Sequence, residues 1–574
     1  MDFREEYSKW ISSSALSQDE KDELKTISDD DKEIESRFFS QLEFGTAGLR
    51  GIMGIGLFRM NVHVIRHATQ ALCELILLEP ESAVEKCVAI CFDSRINSAD
   101  FSREAACVIA GNGIKVRMFE ALRPTPELSF AIREYSCIAG VNITASHNPK
   151  EYNGYKVYWS DGAQIPPAHA QIVAQKMMEL DIFASIKRMD YDDAIASNMI
   201  TLMGEETDEL FLANVMKQAN DFSVVEKVAD TFKFVYTPFH GAGHKLVPEA
   251  LHRLGLKHIA CVEEQMVLDG NFPTVISPNP EEPAGFTLAI ALADKIGASF
   301  IIGTDPDCDR VGIMMRDDKG SFIPLSGNQT GALLLDYIIG AKNRAGTMPK
   351  DPVALKTIVS TEMVRQIAQD NGLSCFDTFT GFKFMAEKQN ELEAKGLGKV
   401  VFSFEESYGY MIGDFVRDKD AVTASMLLAE MAAWYDNQGK TLYQALLDLY
   451  EKYGQYAELT VNLQMPGLDG ITKMRELMQG LRDNPPMDLA GTPVEKRRDY
   501  QPGIELDVLN GVESPIELSG SNVLRYETND NSVVIIRPSG TEPKIKVYIM
   551  TRGSSQAQCQ EKISKYATWA KELA

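Results

Sequence analysis

The chain has 574 residues, too many for one hydrophobic core, and at roughly 100–200 residues per domain it predicts about three to five domains. Its 82 acidic against 58 basic residues leave a formal charge of −24, which argues against nucleic acid or an anionic membrane surface as a partner. The opening MDFREEYSKW lacks the apolar core of a signal peptide, and no apolar run approaches the roughly 18 residues of a membrane span, so a cytoplasmic protein without a membrane partner is expected.

In chain order, KCVAICFD, SADFSREAACVIAGNG, IKVRMFEAL, TPELSFAIREYS and CIAGVNIT alternate short β-branched runs with helical patterns, which predicts βαβ units around a mixed or parallel sheet. After a polar stretch near 186–205 the rhythm resumes with FKFVYTP, HKLVPEALHRLG, HIACVEEQ, FTLAIALADKIG and ASFIIGTD. A third unit runs from NQTGALLLDYIIGAKN through VALKTIVS and SCFDTFTG to KVVFSFEES and the helical AVTASMLLAEMAAWYDN. From about residue 455 strands predominate and a helix closes the chain, so the tail reads as a smaller α+β domain. Nine cysteines, an odd number with no CxxC, predict neither a disulfide framework nor a zinc site; they read as small core residues.

Five segments carry candidate chemistry. In ITASHNPKEYNGYKVYW a strand ends in a turn bearing Ser146; such a sequence commonly only builds a turn, yet ligands of α/β proteins gather at the carboxyl ends of strands, where a hydroxyl can act as nucleophile. In SFIIGTDPDCDRVG an apolar strand runs into Asp305, Asp307 and Asp309, whose alternation puts three carboxylates within reach of one point, a hard oxygen set suited to Mg²⁺. A calcium EF-hand fails there, because Arg310 and Arg316 stand where glycine and glutamate are required. An aspartyl-phosphatase with Asp305 as nucleophile stays open, although Asp309 replaces its threonine. VVIIRPSGTEPKIKVYIM reads as a phosphate clamp, with the Arg537 fork, the Ser539 and Thr541 hydroxyls and close backbone approach at Gly540. FSFEESYGY (Glu405, Glu406, Ser407) and DTFTGFKF (Thr380, Gly381, Lys383) offer groups for a sugar ring, each weak alone.

Together, TASHNP, DPDCDR, EESYG and RPSGTEP in this order resemble the α-D-phosphohexomutase family across nearly the whole chain, and FGTAGLRG, FDSR, TPFHGAG, DGNFPTVISPNPE and RDKDAV look like its phosphoglucomutase and phosphopentomutase branch. The resemblance implies four domains around a central cleft: three related mixed-sheet α/β domains and a smaller C-terminal α+β domain. They would cover 1–200 with the phosphoserine, 201–315 with the metal, 316–445 with the sugar site and 446–574 with a phosphate site. By matching positions it implies Ser146 as the phosphorylated serine, with His147, Arg50 and Lys156 beside it in the catalytic set. Asp305, Asp307, Asp309 and the Ser146 phosphate would hold the metal. Thr380, Gly381, Glu405 and Ser407 would hold the sugar, with Arg310 and Lys419 in the cleft and Arg537, Ser539, Gly540 and Thr541 on the distal phosphate.

The activity so implied is interconversion of glucose 1-phosphate and glucose 6-phosphate with Mg²⁺, through glucose 1,6-bisphosphate as intermediate and activator, in a monomer or homodimer whose partner is the sugar phosphate alone. A phosphopentomutase, phosphomannomutase or bisphosphate synthase of the same chemistry, a metal-dependent sugar phosphatase, and a non-catalytic sugar-phosphate binder are the alternatives. This chain departs from many relatives at Pro306 and Cys308, often glycine, and in carrying Tyr408 or Tyr410 where some have histidine, which leaves the acid/base assignment resting on Lys156 by position.

Overall fold

The computed structural model describes residues 2–80, 86–465, 470–539 and 544–573. Three short helices, Phe3–Ser12, Gln18–Thr26 and Asp31–Phe38, precede a six-stranded sheet. That sheet contains β1 (Gly48–Ile52), β2 (Cys87–Phe92), β3 (Lys115–Phe119), β4 (Ala139–Ile143), β5 (Tyr152–Trp159) and β6 (Ile200–Met203), in the order β1-β5-β4-β2-β3-β6. Every residue of β2 is buried, as its unbroken apolar run CVAICF requires of a strand covered on both faces.

The second sheet contains β7 (Lys233–Thr237), β8 (His258–Cys261), β9 (Phe300–Thr304), β10 (Val311–Arg316) and β11 (Phe322–Pro324), ordered β11-β10-β9-β7-β8. It therefore runs beyond residue 315. The third sheet contains β12 (Pro352–Thr357), β13 (Ser374–Thr378), β14 (Lys399–Glu405) and β15 (Gly409–Met411), ordered β13-β12-β14-β15.

The three sheets share one four-strand core. In each, the first parallel strand lies between the second and third, and a fourth strand pairs antiparallel with the third: β5-β4-β2-β3, β10-β9-β7-β8 and β15-β14-β12-β13. The turn from third to fourth strand carries Ser146 in the first unit, the aspartates in the second and Ser407 in the third. One topology thus delivers three chemically different loops at the same end of three sheets.

The fourth sheet is antiparallel: β16 (Gln455–Gln464), β17 (Asp488–Leu489), β18 (Thr492–Asp499), β19 (Ile504–Asp507), β20 (Val512–Pro515), β21 (Leu524–Thr528), β22 (Val533–Pro538) and β23 (Lys544–Gly553), closed by helix Gln556–Lys571. The second and third units share one apolar core, in which Phe234 and Leu246 join Leu333, Phe402 and Val422. The first and fourth units have cores of their own. None of the nine cysteines, all among the described residues, is in a disulfide, and seven are buried.

Candidate active site

Ser146 sits just past β4, 5% exposed, at φ +51. A left-handed conformation in a residue with a Cβ costs about 1–3 kcal/mol and persists only where its surroundings enforce it. Here its backbone N–H donates to Thr144 Oγ1 at 2.8 Å, and Thr144 Oγ1 donates to Asp93 Oδ2 at 2.6 Å. Its hydroxyl donates to Asp305 Oδ2 at 2.6 Å, across the seam between the first and second units. His147 Nδ1 lies 3.2 Å from the same hydroxyl. Burial, helped by the Arg310 cation, pushes the His147 imidazole well below its usual range, so it is neutral. Arg50, on β1, donates to Asn148 Oδ1 at 3.1 Å.

The aspartates leave β9 fully buried, with one carboxylate oxygen from each within 4.8 Å of the others. Asp305 Oδ1 accepts from the backbone N–H groups of Asp309 (3.1 Å) and Arg310 (2.9 Å). Asp307 Oδ2 accepts from Thr125 Oγ1 (2.9 Å) and Lys156 Nζ (2.7 Å), while Asp309 Oδ2 lies 3.6 Å from Lys156 and 3.2 Å from Lys419 Nζ. Burial, compounded by the other two carboxylates, pushes Asp305 well above the ordinary range. Burial opposes the charge on Asp307 too, but Lys156 and its hydrogen bonds hold that carboxyl below the ordinary value. Asp307 Oδ1 and Asp309 Oδ1 are buried without a hydrogen-bond partner. Two orphaned acceptors in an all-oxygen set fit a hard divalent cation. Between the aspartates, Cys308 takes φ +52, a conformation natural to glycine, and the Pro306 carbonyl accepts from Ala242 N–H at 2.7 Å.

The third unit meets this loop directly. Arg310 Nη1 donates to the Ser407 carbonyl at 3.1 Å and to Glu281 Oε1 at 3.0 Å, and Val311 N–H donates to the Tyr408 carbonyl at 3.1 Å. Glu405 and Glu406 do not act as a pair: Glu405 accepts from Gly381 N–H, whereas Glu406 Oε2 turns back to the hydroxyls of Thr357 (3.2 Å) and Ser360 (3.3 Å). Thr380 precedes Gly381 in the same turn, where Gly381 takes φ +116. Lys419 Nζ bridges Asp309 and Asp418, and Tyr158 of the first unit donates to Asp418 Oδ2 at 2.9 Å. Tyr410 is fully buried, stacked on Phe404, and donates to the Gly327 carbonyl at 3.3 Å.

In the fourth unit Arg537 stands near the end of β22 opposite Lys546 on β23, beside Tyr548. Burial, with Glu406 adding to it, pushes the Tyr548 phenol up to about 12, while the Arg537 hydrogen bond pulls it down. Ser539 N–H donates to the Lys544 carbonyl at 2.8 Å. Gly540 and Thr541 lie outside the described residues.

Sequence reasoning named most of these groups and passed over others. Asp93, Arg95, Glu281 and Asp418 lie in FDSR, SPNPE and RDKDAV, which stood out as stretches but received no role. Thr125 lay hidden in a run read only as helix. Its side chain and backbone N–H both reach Asp307.

Three copies of one α/β core, with a smaller antiparallel domain, bring a buried hydroxyl, a carboxylate triad and the cations of Lys156, Lys419 and Arg310 together; this defines a class of four-domain α/β proteins with a charged site buried where the units meet. The chain matches all four domain descriptions of one family: phosphoglucomutase/phosphomannomutase alpha/beta/alpha domains I (residues 41–182), II (210–320) and III (326–453) and its C-terminal domain (492–562). It is 34% identical over 532 residues to a phosphoglucomutase of Staphylococcus haemolyticus strain JCSC1435, covering 93% of this chain and 94% of that one. It is likewise 34% identical to a phosphoglucomutase of Staphylococcus aureus strain MSSA476, over 94% and 95% of the two chains. Among solved structures it shares its fold with pp63/parafusin, a phosphoglucomutase of Paramecium, in its open form (TM-score 0.67, 19% identity, 93% and 95% of the chains). A phosphoglucomutase/phosphomannomutase family protein of Burkholderia thailandensis is similar (TM-score 0.66, 18% identity, 93% and 98%). The chain belongs to the phosphoglucomutase/phosphomannomutase family and is an isomerase of the mutase type. No helix among the described residues is long and apolar enough to cross a membrane.

Proposed function

We propose that this isomerase interconverts glucose 1-phosphate and glucose 6-phosphate through a phosphoserine at Ser146. In one half-cycle the O6 hydroxyl gives up its proton as O6 attacks the phosphorus, the bond to Ser146 Oγ breaks, Oγ takes up a proton, and glucose 1,6-bisphosphate results. The bisphosphate turns over in the crevice and returns its other phosphoryl group to Ser146, so glucose 6-phosphate leaves. The observation that carries this reading is the Ser146 hydroxyl, 2.6 Å from Asp305 within the carboxylate triad.

His147, neutral and in reach of Oγ, is placed to receive and return the serine proton. Burial opposes the charge on Lys156, but Asp307 and Asp309 raise its ammonium above the usual range, which suits it to supply charge and, as a general acid, a proton. Lys419 and Arg310 add positive charge around Asp309. A divalent cation, Mg²⁺ in this reading, would be held by Asp305, Asp307, Asp309 and the serine phosphate, and would neutralise charge on the transferring group. Phosphoserine at about −2 with three carboxylates gives about −5 against the cation's +2, so Lys156, Lys419 and Arg310 are needed beside it. Glu405, Ser407, Thr380 and Gly381 would hold the ring, and Arg537, Ser539, Gly540 and Thr541 the far phosphate. The four sheets support division near residues 204, 325 and 454, a little later at each step than the sequence alone placed it.

Ser146→Ala is expected to abolish turnover in a coupled assay with Mg²⁺ and catalytic glucose 1,6-bisphosphate, and to lack the phosphate that mass spectrometry is expected to find on the wild-type peptide. Chelation of divalent cations should stop turnover in the wild type, and Mg²⁺ should restore it. Full activity in the variant, or phosphate on Asp305, would sink the serine route and favour a phosphatase. The same assay run on ribose 1-phosphate and mannose 1-phosphate separates the glucose reading from a phosphopentomutase or phosphomannomutase.

A further inference from the structure

The serine loop is held from behind by a residue to which the proposed reaction gives no role. Arg95 follows β2, and its side chain is completely buried. Its Nη1 donates to the carbonyls of Pro149 and Tyr152, both at 2.9 Å, and its Nη2 donates to the carbonyls of Ser146 and Asn148. Its Nε lies 3.3 Å from Asp93 Oδ2, the carboxylate that also accepts from Thr144. The two terminal nitrogens thus place four N–H groups on four carbonyls of a single loop. One face of the guanidinium is covered by Phe272 of the second unit, 5.1 Å from its central carbon, and Gly270 packs so closely on Ile96 that a Cβ would lie 2.4 Å from its backbone nitrogen. That accounts for part of the DGNFPTVISPNPE stretch.

We propose that Arg95 is a positioning residue for the mutase reaction: its planar fork gathers the carbonyls of residues 146–152 and so keeps Ser146 in the left-handed conformation from which its hydroxyl reaches the triad. The proposal rests on the serine reading above. Lysine cannot replace it, since an ammonium has three donors and no plane, and would leave at least one buried carbonyl unpaired. The Arg95 guanidinium donates to the loop carbonyls and meets Asp93, not the three carboxylates of the triad, so its effect belongs to the orientation of Ser146 and not to substrate binding. A misplacement of about 1 Å in a reacting atom costs about 100-fold in rate.

The test uses the full chain with Mg²⁺ and glucose 1,6-bisphosphate, comparing Arg95→Lys and Arg95→Gly with the wild type after thermal melting has verified folding. Arg95→Lys is expected to lower kcat by about 100-fold with KM for glucose 1-phosphate within about threefold, and to slow phosphorylation of Ser146 by the same factor as kcat. Added guanidinium should recover part of the Arg95→Gly rate, where methylammonium should not. Wild-type phosphorylation in folded Arg95→Lys, or a loss that falls on KM, overturns the proposal. If neither variant folds, Asp93→Asn, which keeps side-chain volume, must show the same parallel fall in kcat and phosphorylation; a wild-type rate there overturns it. A wild-type chain that takes no phosphate on Ser146 instead defeats the serine reading itself.

Discussion

Among the described residues Asp420 has no ion pair, unlike Asp307 and Asp309 of the site. It caps helix Ala421–Asp436, accepting from the backbone N–H groups of Val422 and Thr423 at 2.9 Å and from the Thr423 hydroxyl. Burial pushes its carboxyl up to about 6 despite those bonds. Because the folded chain then binds this proton more tightly than the unfolded chain, the contribution of Asp420 to stability is fully present below about pH 4 and is lost as pH rises through about 6. The swing is on the order of 3 kcal/mol. Denaturant unfolding of the wild type and Asp420→Asn across that range should show the wild type losing ground to the variant as pH rises. Parallel profiles would mean that the carboxyl is already ionised without penalty.

At the scale of elements, the repeated four-strand core explains why the Ser146 hydroxyl, the three aspartates and the Ser407 loop meet: each is carried by a turn from third to fourth strand. What holds the third turn is the start of helix Gly327–Ala345. A Cβ added at Gly327 would lie 1.9 Å from the Glu406 carbonyl oxygen and 3.0 Å from Tyr408 nitrogen, so only glycine lets the helix approach. Gly327→Ala must displace residues 405–408, at a cost of about 1–3 kcal/mol in stability. The expected result is a KM for glucose 1-phosphate raised about tenfold, the equivalent of about 1.4 kcal/mol. Unaltered kinetics with an unaltered melting temperature would show that this contact does not set the loop.

Over the whole molecule, the second and third units are fused by a common apolar core, whereas the fourth is tied to the third by a mixed seam. Ile358 and Val359 pack on Tyr500, Val523, Ile535 and Tyr548, and beside them Arg525 Nη2 lies 3.2 Å from Glu362 Oε1. Glu362 also receives buried Lys356, which in turn contacts Asp377 at 3.1 Å. Removing one cation from such a network leaves carboxylates short of a partner, a loss of about 3 kcal/mol where the pair is buried. Arg525→Met should therefore split a low-temperature transition from the calorimetric profile of the wild type, as the fourth unit comes free before the other three melt. An unsplit, unshifted profile would show that the apolar contacts alone hold the seam.

The sequence alone determined the elements and the residue types at their ends. An apolar strand followed by Asp-x-Asp-x-Asp, or by Ser-His-Asn-Pro, is a local pattern that needs no partner to be read, and buried cysteines follow from apolar surroundings. It could not pair the loops with one another. Ser146 meets Asp305 across 159 residues, Thr125 meets Asp307 across 182, and Arg310 meets Ser407 across 97. Such contacts are made when whole sheets pack, and the chain that closes those long loops carries no mark of which residues will touch. Arg95 was decided the same way, since its partners are backbone carbonyls, identical in every residue until folding brings four of them to one guanidinium.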